Sequence, residues 1–254
     1  MIDRVLESMF HWYRLVGGAS EGASVFERDG VVAAVVPAAP ERAVVNAVLY
    51  RDAEGLEAAY DELAAAYREI GAKWTVWVPP GDEAAGRLLE GRGHVLDAQP
   101  MAMARGLDGV ERPPADAITE WSANGSVAEV GEINDRAYTF GTDSFSRSLQ
   151  SLPDGAANVY VARDDGRAIG CLVTVDHERN SEVQMVAVVP EARGRGITRK
   201  LLGHALADAA EGGSETSTLI ATPAGYPVYE RLGFRPLERF SMWELRPAPP
   251  TPRT

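Results

Sequence analysis

The residues Val183-Gln-Met-Val-Ala-Val-Val-Pro-Glu-Ala-Arg-Gly-Arg-Gly-Ile-Thr198 join an apolar strand pattern to a glycine-rich loop and the start of an amphipathic helix. Glycines let such a loop turn sharply, and the first backbone N–H groups of the following helix have no partners within the helix. Those N–H groups, together with the helix dipole, attract phosphate oxygens. Positive charge in the same segment comes from Arg193, Arg195, Arg199 and Lys200. The stretch therefore predicts a binding site for a diphosphate.

The composition of the chain limits its possible partners. Its 254 residues are 45% apolar and 24% charged, with a formal net charge of −12. These proportions predict one large or two small folded domains with a substantial core. Nucleic acids and anionic membranes attract surplus basic charge, so an acidic chain is unsuited to either. We therefore expect a small-molecule ligand or a basic partner, with no nucleic acid and no membrane.

Two further expectations follow from single residue types. The first eighteen residues include Asp3, Arg4 and Glu7, which interrupt the apolar run that a signal peptide or membrane span needs. We therefore expect a cytoplasmic protein. The four histidines are scattered along the chain without neighbours at ligand spacing, so we expect no metal site.

Turn-forming and charged residues near position 110 interrupt the apolar periodicity and divide the chain. On each side the pattern predicts a helix, three strands, a second helix, a strand, a short helix and a last strand. The predicted last strands are residues 95–104 and 239–245. We therefore predict domains at residues 1–110 and 111–246, followed by a proline-rich mobile tail at residues 247–254.

The two halves also agree at their ends, which favours an internal duplication. Leu89-Glu90 and Gly93-His94 correspond to Tyr229-Glu230 and Gly233-Phe234. The alternative is that any α/β unit can share such a helix-turn-strand ending. At the position of the diphosphate loop, however, the first half has Arg51-Asp-Ala-Glu-Gly55, which is shorter and contains two carboxylates. Because those carboxylates would repel a diphosphate, we expect only the second half to bind one.

The second half resembles the GNAT superfamily of acyl-coenzyme A-dependent N-acetyltransferases. In that family a strand leads to a loop of pattern Arg/Gln-x-x-Gly-x-Gly/Ala, which Arg193-Gly-Arg-Gly-Ile-Thr198 matches except at its last position. The segment Tyr229-Glu-Arg-Leu-Gly-Phe234 is similar to a second family feature. The resemblance covers roughly residues 115–246. It implies an α/β (α+β) fold of two tandem GNAT-like domains, each a mixed, mostly antiparallel sheet flanked by helices, the first being a degenerate copy.

The resemblance implies acetyl-CoA as co-substrate. The backbone of the last strand residues before the loop would pair with the pantetheine arm, and the loop would hold the diphosphate. Two residues depart from the family pattern, because Thr198 replaces a small residue and Thr222 replaces a frequent asparagine. The implied cofactor-binding residues are Val186, Ala187, Val188, Arg193, Gly194, Arg195, Gly196, Ile197, Thr198, Arg199, Thr222 and Tyr229.

The resemblance also implies two catalytic residues. Tyr229 would protonate the departing thiolate, since a phenol with a pKa of about 10 is protonated at neutral pH. The alternative is a tyrosine that only packs its helix onto the sheet. Glu182, at the start of the motif strand, is the candidate base that takes a proton from the amine. It could instead be an exposed hairpin carboxylate, with a water relay as the base.

The acceptor side is the least determined by the sequence. In the family, the first helix and the loop after it line this side, which implies Tyr138, Phe140 and Phe145. Aromatic residues and an acid, Asp143, would suit an amine with an apolar body, although any helix-to-loop transition could have this composition. We therefore predict an N-acetyltransferase acting on the primary amine of a small molecule, as a monomer or homodimer. The alternatives are a non-catalytic acyl-CoA-binding module and a protein N-terminal acetyltransferase.

Overall fold

The computed structural model describes residues 1–114, 120–122, 125–138 and 142–246. The predicted tail at residues 247–254 lies outside this part of the chain. None of the described helices is long and apolar enough to cross a membrane. The elements of the first half are α1 (Ile2–Val16), β1 (Ser24–Arg28), β2 (Val31–Val35), β3 (Ala47–Tyr50), α2 (Ala53–Glu69), β4 (Trp74–Val78), α3 (Glu83–Gly91), β5 (Val95–Ala98) and β6 (Met101–Gly106).

The second half repeats this order, with a short extra strand before its first helix and a short extra helix after it. A 3-10 turn, Pro190–Ala192, separates its third long strand from the following helix. Its elements are β7 (Glu120–Ser122), α4 (Val127–Tyr138), α5 (Ser144–Ser148), β8 (Asn158–Asp164), β9 (Arg167–His177), β10 (Asn180–Val188), α6 (Ile197–Glu211), β11 (Thr216–Ala221), α7 (Tyr226–Arg231), β12 (Arg235–Arg239) and β13 (Ser241–Leu245).

The strands form two sheets with the same order of equivalent strands. The first sheet is β1-β2-β3-β4-β13-β5, and the second is β12-β6-β11-β10-β9-β8-β7. Each sheet contains one parallel pair, β3 with β4 and β10 with β11, and its other pairs are antiparallel. The predicted fold of two mixed, mostly antiparallel sheets flanked by helices is therefore confirmed.

The two halves exchange their last strands, which the sequence did not predict. Strand β13 pairs with β4 and β5 of the first half, and β6 pairs with β11 and β12 of the second. Both predicted last strands are interrupted. The strand predicted at residues 95–104 divides into β5 and β6 at Gln99 and Pro100, and the one predicted at residues 239–245 is divided at Phe240, between β12 and β13. Proline cannot donate to a strand ladder, and the Phe240 N–H instead donates to the Pro100 carbonyl at 3.1 Å. The halves are separate along the chain but interlocked in space.

Helix α1 lies between the two sheets. Its apolar face, which includes Met9, Phe10 and Tyr13, is buried in a core shared by both halves. Polar contacts add to this packing, because the side-chain amide of Asn180 donates to the Ser8 hydroxyl at 2.9 Å. The first half therefore forms part of the environment of β10.

A second core lies on the other face of the first sheet, under α2 and α3. It contains Tyr60, Tyr67 and Trp74, and His94 is buried beside them. The His94 ring has Nε2 3.0 Å from the Tyr60 hydroxyl and Nδ1 3.1 Å from the Trp243 carbonyl oxygen. Burial lowers the pKa of His94 to about 4, although the Trp243 carbonyl opposes that shift. The histidine is therefore neutral at physiological pH and joins an aromatic cluster to the exchanged strand.

Candidate active site

A bulge in β10 opens the second sheet. The parallel pairing of β10 with β11 runs only from Asn180 to Val183. Just beyond it, the register with β9 shifts between Gln184 and Ala187, and Met185 has a left-handed backbone with φ of 52°. A bulge of this kind bends a strand and leaves backbone groups unpaired. The last residues of β10 are thereby released from β11 and form one wall of a cleft.

The cleft has a volume of about 800 Å³ and lies between the end of β10, α6 and α7. It brings together most of the residues implied by the sequence, namely Tyr138, Val186, Ala187, Val188, Arg193, Gly194, Gly196, Ile197, Thr198, Arg199, Thr222 and Tyr229. The sequence interpretation missed seven further lining residues, Ala137, Ala192, Ala224, Gly225, Val228, Arg231 and Leu232. Four of the missed residues lie within four positions of Tyr229, so helical spacing around that tyrosine could have identified them.

The loop before α6 has the geometry of an anion site. Gly194 and Gly196 have φ of 77° and 75°, a left-handed conformation that favours glycine. A Cβ atom built at either glycine would meet no heavy atom within 4 Å, so the space in front of the loop is open. Gly196 is the N-cap of α6, and no side chain there accepts a hydrogen bond from the helix N–H groups. These groups are available to a phosphate.

The arginines of the loop have different partners. Arg193 donates to the carbonyl oxygens of Ala137 at 2.6 Å and Val188 at 3.3 Å, which ties the loop to α4 and β10. Arg195 forms an ion pair with Asp164 at 2.7 Å and does not line the cleft. Arg199 does line it. The structure thus places Arg195, an implied cofactor-binding residue, on the β8–β9 hairpin side of the loop.

Tyr229 lies at the α7 side of the cleft and is almost fully buried. Its ring packs edge-on against Phe234, with ring centres 6.1 Å apart, and its hydroxyl has no hydrogen-bond partner among the described residues. Burial and the neighbouring Tyr138 raise the pKa of Tyr229 above its ordinary value. A Cβ atom at Gly225 would come within 2.9 Å of the Tyr229 ring, so only glycine leaves room for this arrangement.

Thr222 begins the turn that leads to Tyr229. Its hydroxyl accepts a hydrogen bond from the Gly225 N–H at 3.2 Å. This bond stabilises the turn at residues 222–225 that precedes α7, as short polar side chains commonly do in turns. The hydroxyl therefore lines the cleft while it also positions the tyrosine helix.

Glu182 is fully buried and lies outside the cleft lining. It is therefore not the exposed hairpin carboxylate that was the alternative. Neither carboxyl oxygen has a hydrogen-bond partner of good geometry within the described part of the chain. Burial raises the pKa of Glu182 to about 8, although the nearby Gln184 side chain lowers it. Its charge also contributes to the raised pKa of Tyr13, after burial, which places the carboxyl near α1 of the first half.

The three residues expected on the acceptor side have different positions. Tyr138 is exposed, lines the cleft and donates its hydroxyl to the Val186 carbonyl at 3.3 Å. Phe145 is buried and does not line the cleft, but its ring centre is 6.4 Å from that of Tyr138. Phe140 lies outside the described residues. Of the described pair, Tyr138 alone borders the cleft directly.

Comparisons with known proteins agree with this geometry. Residues 155–236 match the family described as Acetyltransferase (GNAT) domain. These residues therefore match a GNAT acetyltransferase domain, and the family resemblance seen in the sequence is confirmed.

Two relatives from Streptomyces griseus subsp. griseus are similar in sequence. A mycothiol acetyltransferase is 27% identical over 188 residues, which is 67% of this chain and 61% of that protein. An uncharacterized N-acetyltransferase is 42% identical over 60 residues, which is 24% of this chain and 14% of that protein. The chain thus matches less than two thirds of the length of each relative.

Solved structures share the fold of both halves. A GCN5-related N-acetyltransferase from Kribbella flavida aligns with a TM-score of 0.65 at 16% identity, covering 95% of this chain and 94% of that one. A tandem GNAT protein from the clavulanic acid biosynthesis pathway aligns with a TM-score of 0.56 at 17% identity, covering 91% and 82%. At these identities the likeness concerns the fold alone.

Proposed function

We propose that this protein transfers an acetyl group from acetyl-CoA to the primary amine of a small molecule, by direct attack in a ternary complex. One observation carries the proposal: a single cleft is bordered at one side by the open glycine loop and at the other by a buried tyrosine hydroxyl. An anion site and a proton donor in one cleft are what acyl transfer from a thioester requires. The acidic net charge and the proposed small-molecule acceptor favour a cytoplasmic enzyme. We propose that it is either a monomer or a homodimer.

Acetyl-CoA, as substrate, would fit the cleft along its length. The N–H groups at Gly194, Gly196 and the start of α6 would hold the diphosphate, because the space before them is open. Backbone groups at Val186, Ala187 and Val188, beyond the end of the pairing of β10 with β11, would pair with the amides of the pantetheine arm. Arg199 would add positive charge at the cleft wall. Arg195 would act indirectly, by fixing the loop through Asp164.

The reaction needs two proton movements. The neutral amine nitrogen forms a bond to the thioester carbonyl carbon, the carbon–sulfur bond then breaks, and its electron pair stays on sulfur. Tyr229 donates its proton to that sulfur. Its raised pKa keeps the phenol protonated at neutral pH until negative charge develops beside it.

The amine proton leaves toward Glu182. A carboxylate with a pKa of about 8 is well matched to accept a proton near neutral pH. Because Glu182 does not line the cleft, the transfer passes through water rather than by direct contact. This route combines the two alternatives from the sequence, a glutamate base and a water relay.

A thiol-release assay over a panel of primary amines tests the proposal. A mycothiol-type amine belongs first in the panel, since one relative is a mycothiol acetyltransferase. We expect Tyr229→Phe to lower kcat by about 10²-fold while the Kd for acetyl-CoA, measured by calorimetry, stays within about twofold. Tyr226→Phe is the matched control, because that tyrosine lies on the same helix outside the cleft lining and should leave kcat unchanged.

Other outcomes have distinct meanings. If acetyl-CoA binds but no amine is acetylated, the protein is a non-catalytic acyl-CoA-binding module. Acetylation of an N-terminal peptide but of no small amine would favour the protein N-terminal acetyltransferase. Absence of acetyl-CoA binding would contradict both the proposal and the first alternative.

A further inference from the structure

Arg42 of the first half contacts residues of the second half that pack against the wall of the cleft. This residue lies in the loop between β2 and β3, and its guanidinium makes three contacts beyond the end of α4. It donates to the Ser144 hydroxyl at 2.6 Å and to the Thr142 hydroxyl at 2.9 Å. It also lies over the Phe145 ring, 5.6 Å from the ring centre. A planar guanidinium can make all three contacts at once, which an ammonium cannot.

Phe145 carries this contact to the cleft wall. Its ring packs against Tyr138, which lines the cleft, and the Tyr138 hydroxyl bonds to the Val186 carbonyl on β10. Tyr138 also lies near enough to Tyr229 to influence its pKa, after the larger effect of burial. A continuous line of contacts therefore runs from Arg42 through Phe145 to the Tyr138 ring beside the proton donor.

The position of α5 is closely fixed. Its N-terminal N–H groups, those of Phe145 and Ser146, both donate to the Asp135 carboxylate on α4 at 2.9 Å. A Cβ atom at Gly131 would meet the Phe145 carbonyl oxygen at 2.7 Å. This close approach leaves no space for α5 to slide along α4. A substitution on the side of α5 away from α4 must therefore change the conformation of α5 itself.

Among the described contacts, the side of α5 that faces away from α4 is contacted only by residues of the first half. Besides Arg42, the first half supplies Glu41, which pairs with Arg147 at 2.7 Å. The Ala19 carbonyl oxygen accepts the N–H groups of Gln150 and Ser151, each at 3.0 Å. Three residues of the first half, Ala19, Glu41 and Arg42, thus contact residues 142–151.

We propose that Arg42 is a positioning residue for the cleft: by holding Phe145 and α5, the first half sets the place of Tyr138 next to Tyr229. The part of this proposal that concerns acceptor binding rests on the proposed function. The contacts of Arg42 with Thr142, Ser144 and Phe145 lie on the acceptor side, so we expect acetyl-CoA binding to be independent of it. The degenerate half is then a structural support for the acceptor side of the working half.

Hydrogen–deuterium exchange of the full-length chain tests the holding directly and needs no acceptor. In Arg42→Ala we expect amide exchange across residues 142–151 to accelerate about tenfold, while β10 and α6 exchange as in the wild type. Arg42→Lys should be intermediate, since it keeps a charged donor nitrogen and loses the planar contact. Arg28→Ala is the matched control, because Arg28 also lies over a phenylalanine ring and pairs with a glutamate, Glu62, but within the first half.

Binding and kinetics complete the test. The Kd for acetyl-CoA should stay within about twofold in Arg42→Ala, whereas KM for the best amine of the panel should rise about fivefold with little change in kcat. Unchanged exchange of residues 142–151 would overturn the proposal, and so would an equal loss of acetyl-CoA affinity. Failure of the wild type to bind acetyl-CoA would instead refute the proposed function, and the exchange data would still decide whether Arg42 holds the segment.

Discussion

The same position in the two halves, where the third long strand passes into a helix, has two different structures. In the first half β3 leads to α2 through only two residues, and the Asp52 carboxylate accepts the Gly55 N–H at 2.7 Å. In the second half a longer loop leads to α6, and Gly196 offers the helix no side-chain acceptor. A carboxylate thus occupies, in one half, the helix end that is open to phosphate in the other. Two nearly identical folds therefore provide one site.

The region beyond the end of β3 also differs from the cleft beyond the end of β10. In the first half the Tyr50 hydroxyl donates to the Asp82 carboxylate at 2.9 Å, which joins the end of β3 to the N-cap of α3. The buried Leu89 stands where the second half has Tyr229. The first half therefore has a Tyr50–Asp82 contact beyond the end of β3 and a leucine in place of the tyrosine that we propose as proton donor.

Among the substitutions that test this difference between the two halves, Glu182→Gln is expected to have the largest effect. Glu182→Gln should lower kcat/KM by about 10²- to 10⁴-fold, because the variant cannot accept a proton. The exposed neighbour in the hairpin supplies the control, Glu178→Gln, which should leave kcat/KM unchanged. Steady-state kinetics between pH 6 and 9 would measure both variants, and full activity of Glu182→Gln would exclude the glutamate as base.

The same carboxyl also makes a stability prediction with a definite sign. Since the folded-state pKa is raised to about 8, the folded protein binds the Glu182 proton more tightly than the unfolded chain does. Its contribution to stability is therefore present below pH 4.5 and is lost as pH rises to about 8. Glu182→Gln should raise the free energy of unfolding at pH 8 by about 4 kcal/mol and have little effect at pH 4.5.

His94 in the first half should give an opposite pH dependence. Its pKa is lowered from 6.5 to about 4, so the unfolded chain binds the proton more tightly. Stability is then complete above pH 6.5 and falls by about 3 kcal/mol as pH decreases to 4. Urea unfolding at pH 7 and pH 4 would measure this loss. In His94→Phe, which introduces the residue found at the equivalent Phe234, the histidine-dependent part of the slope should disappear.

The smallest effect is expected at the cap of α2. Asp52→Ala should lower the free energy of unfolding by about 1 kcal/mol, the usual cost of losing an N-cap hydrogen bond. It should not create a second acetyl-CoA site, because Tyr50 and Asp82 still fill the gap. Urea unfolding and a calorimetric titration of the variant would check both statements; binding of a second equivalent of acetyl-CoA would show that Asp52 alone closes the first half.

The sequence predicted the features that are contiguous along the chain. Gly194 and Gly196 border the cleft in the sharply turning loop that was expected, and Tyr229 borders it on the helix expected from its motif. The strand exchange was beyond such reasoning, since the apolar alternation that predicts a strand does not specify the sheet it joins. The partners of Arg195 and Arg42 come from segments distant in sequence, Asp164 and Ser144, and are set only by tertiary packing.

The central claim is that one half of a duplicated fold retains a site for acetyl-CoA. Calorimetric titration with acetyl-CoA tests it most directly, using the wild type, Gly196→Asp and the control Gly213→Asp, whose glycine is also left-handed with open space but lies beyond the end of α6. The account predicts one bound molecule per chain, lost in Gly196→Asp and kept in Gly213→Asp. Two molecules per chain, or binding that survives in Gly196→Asp, would contradict it.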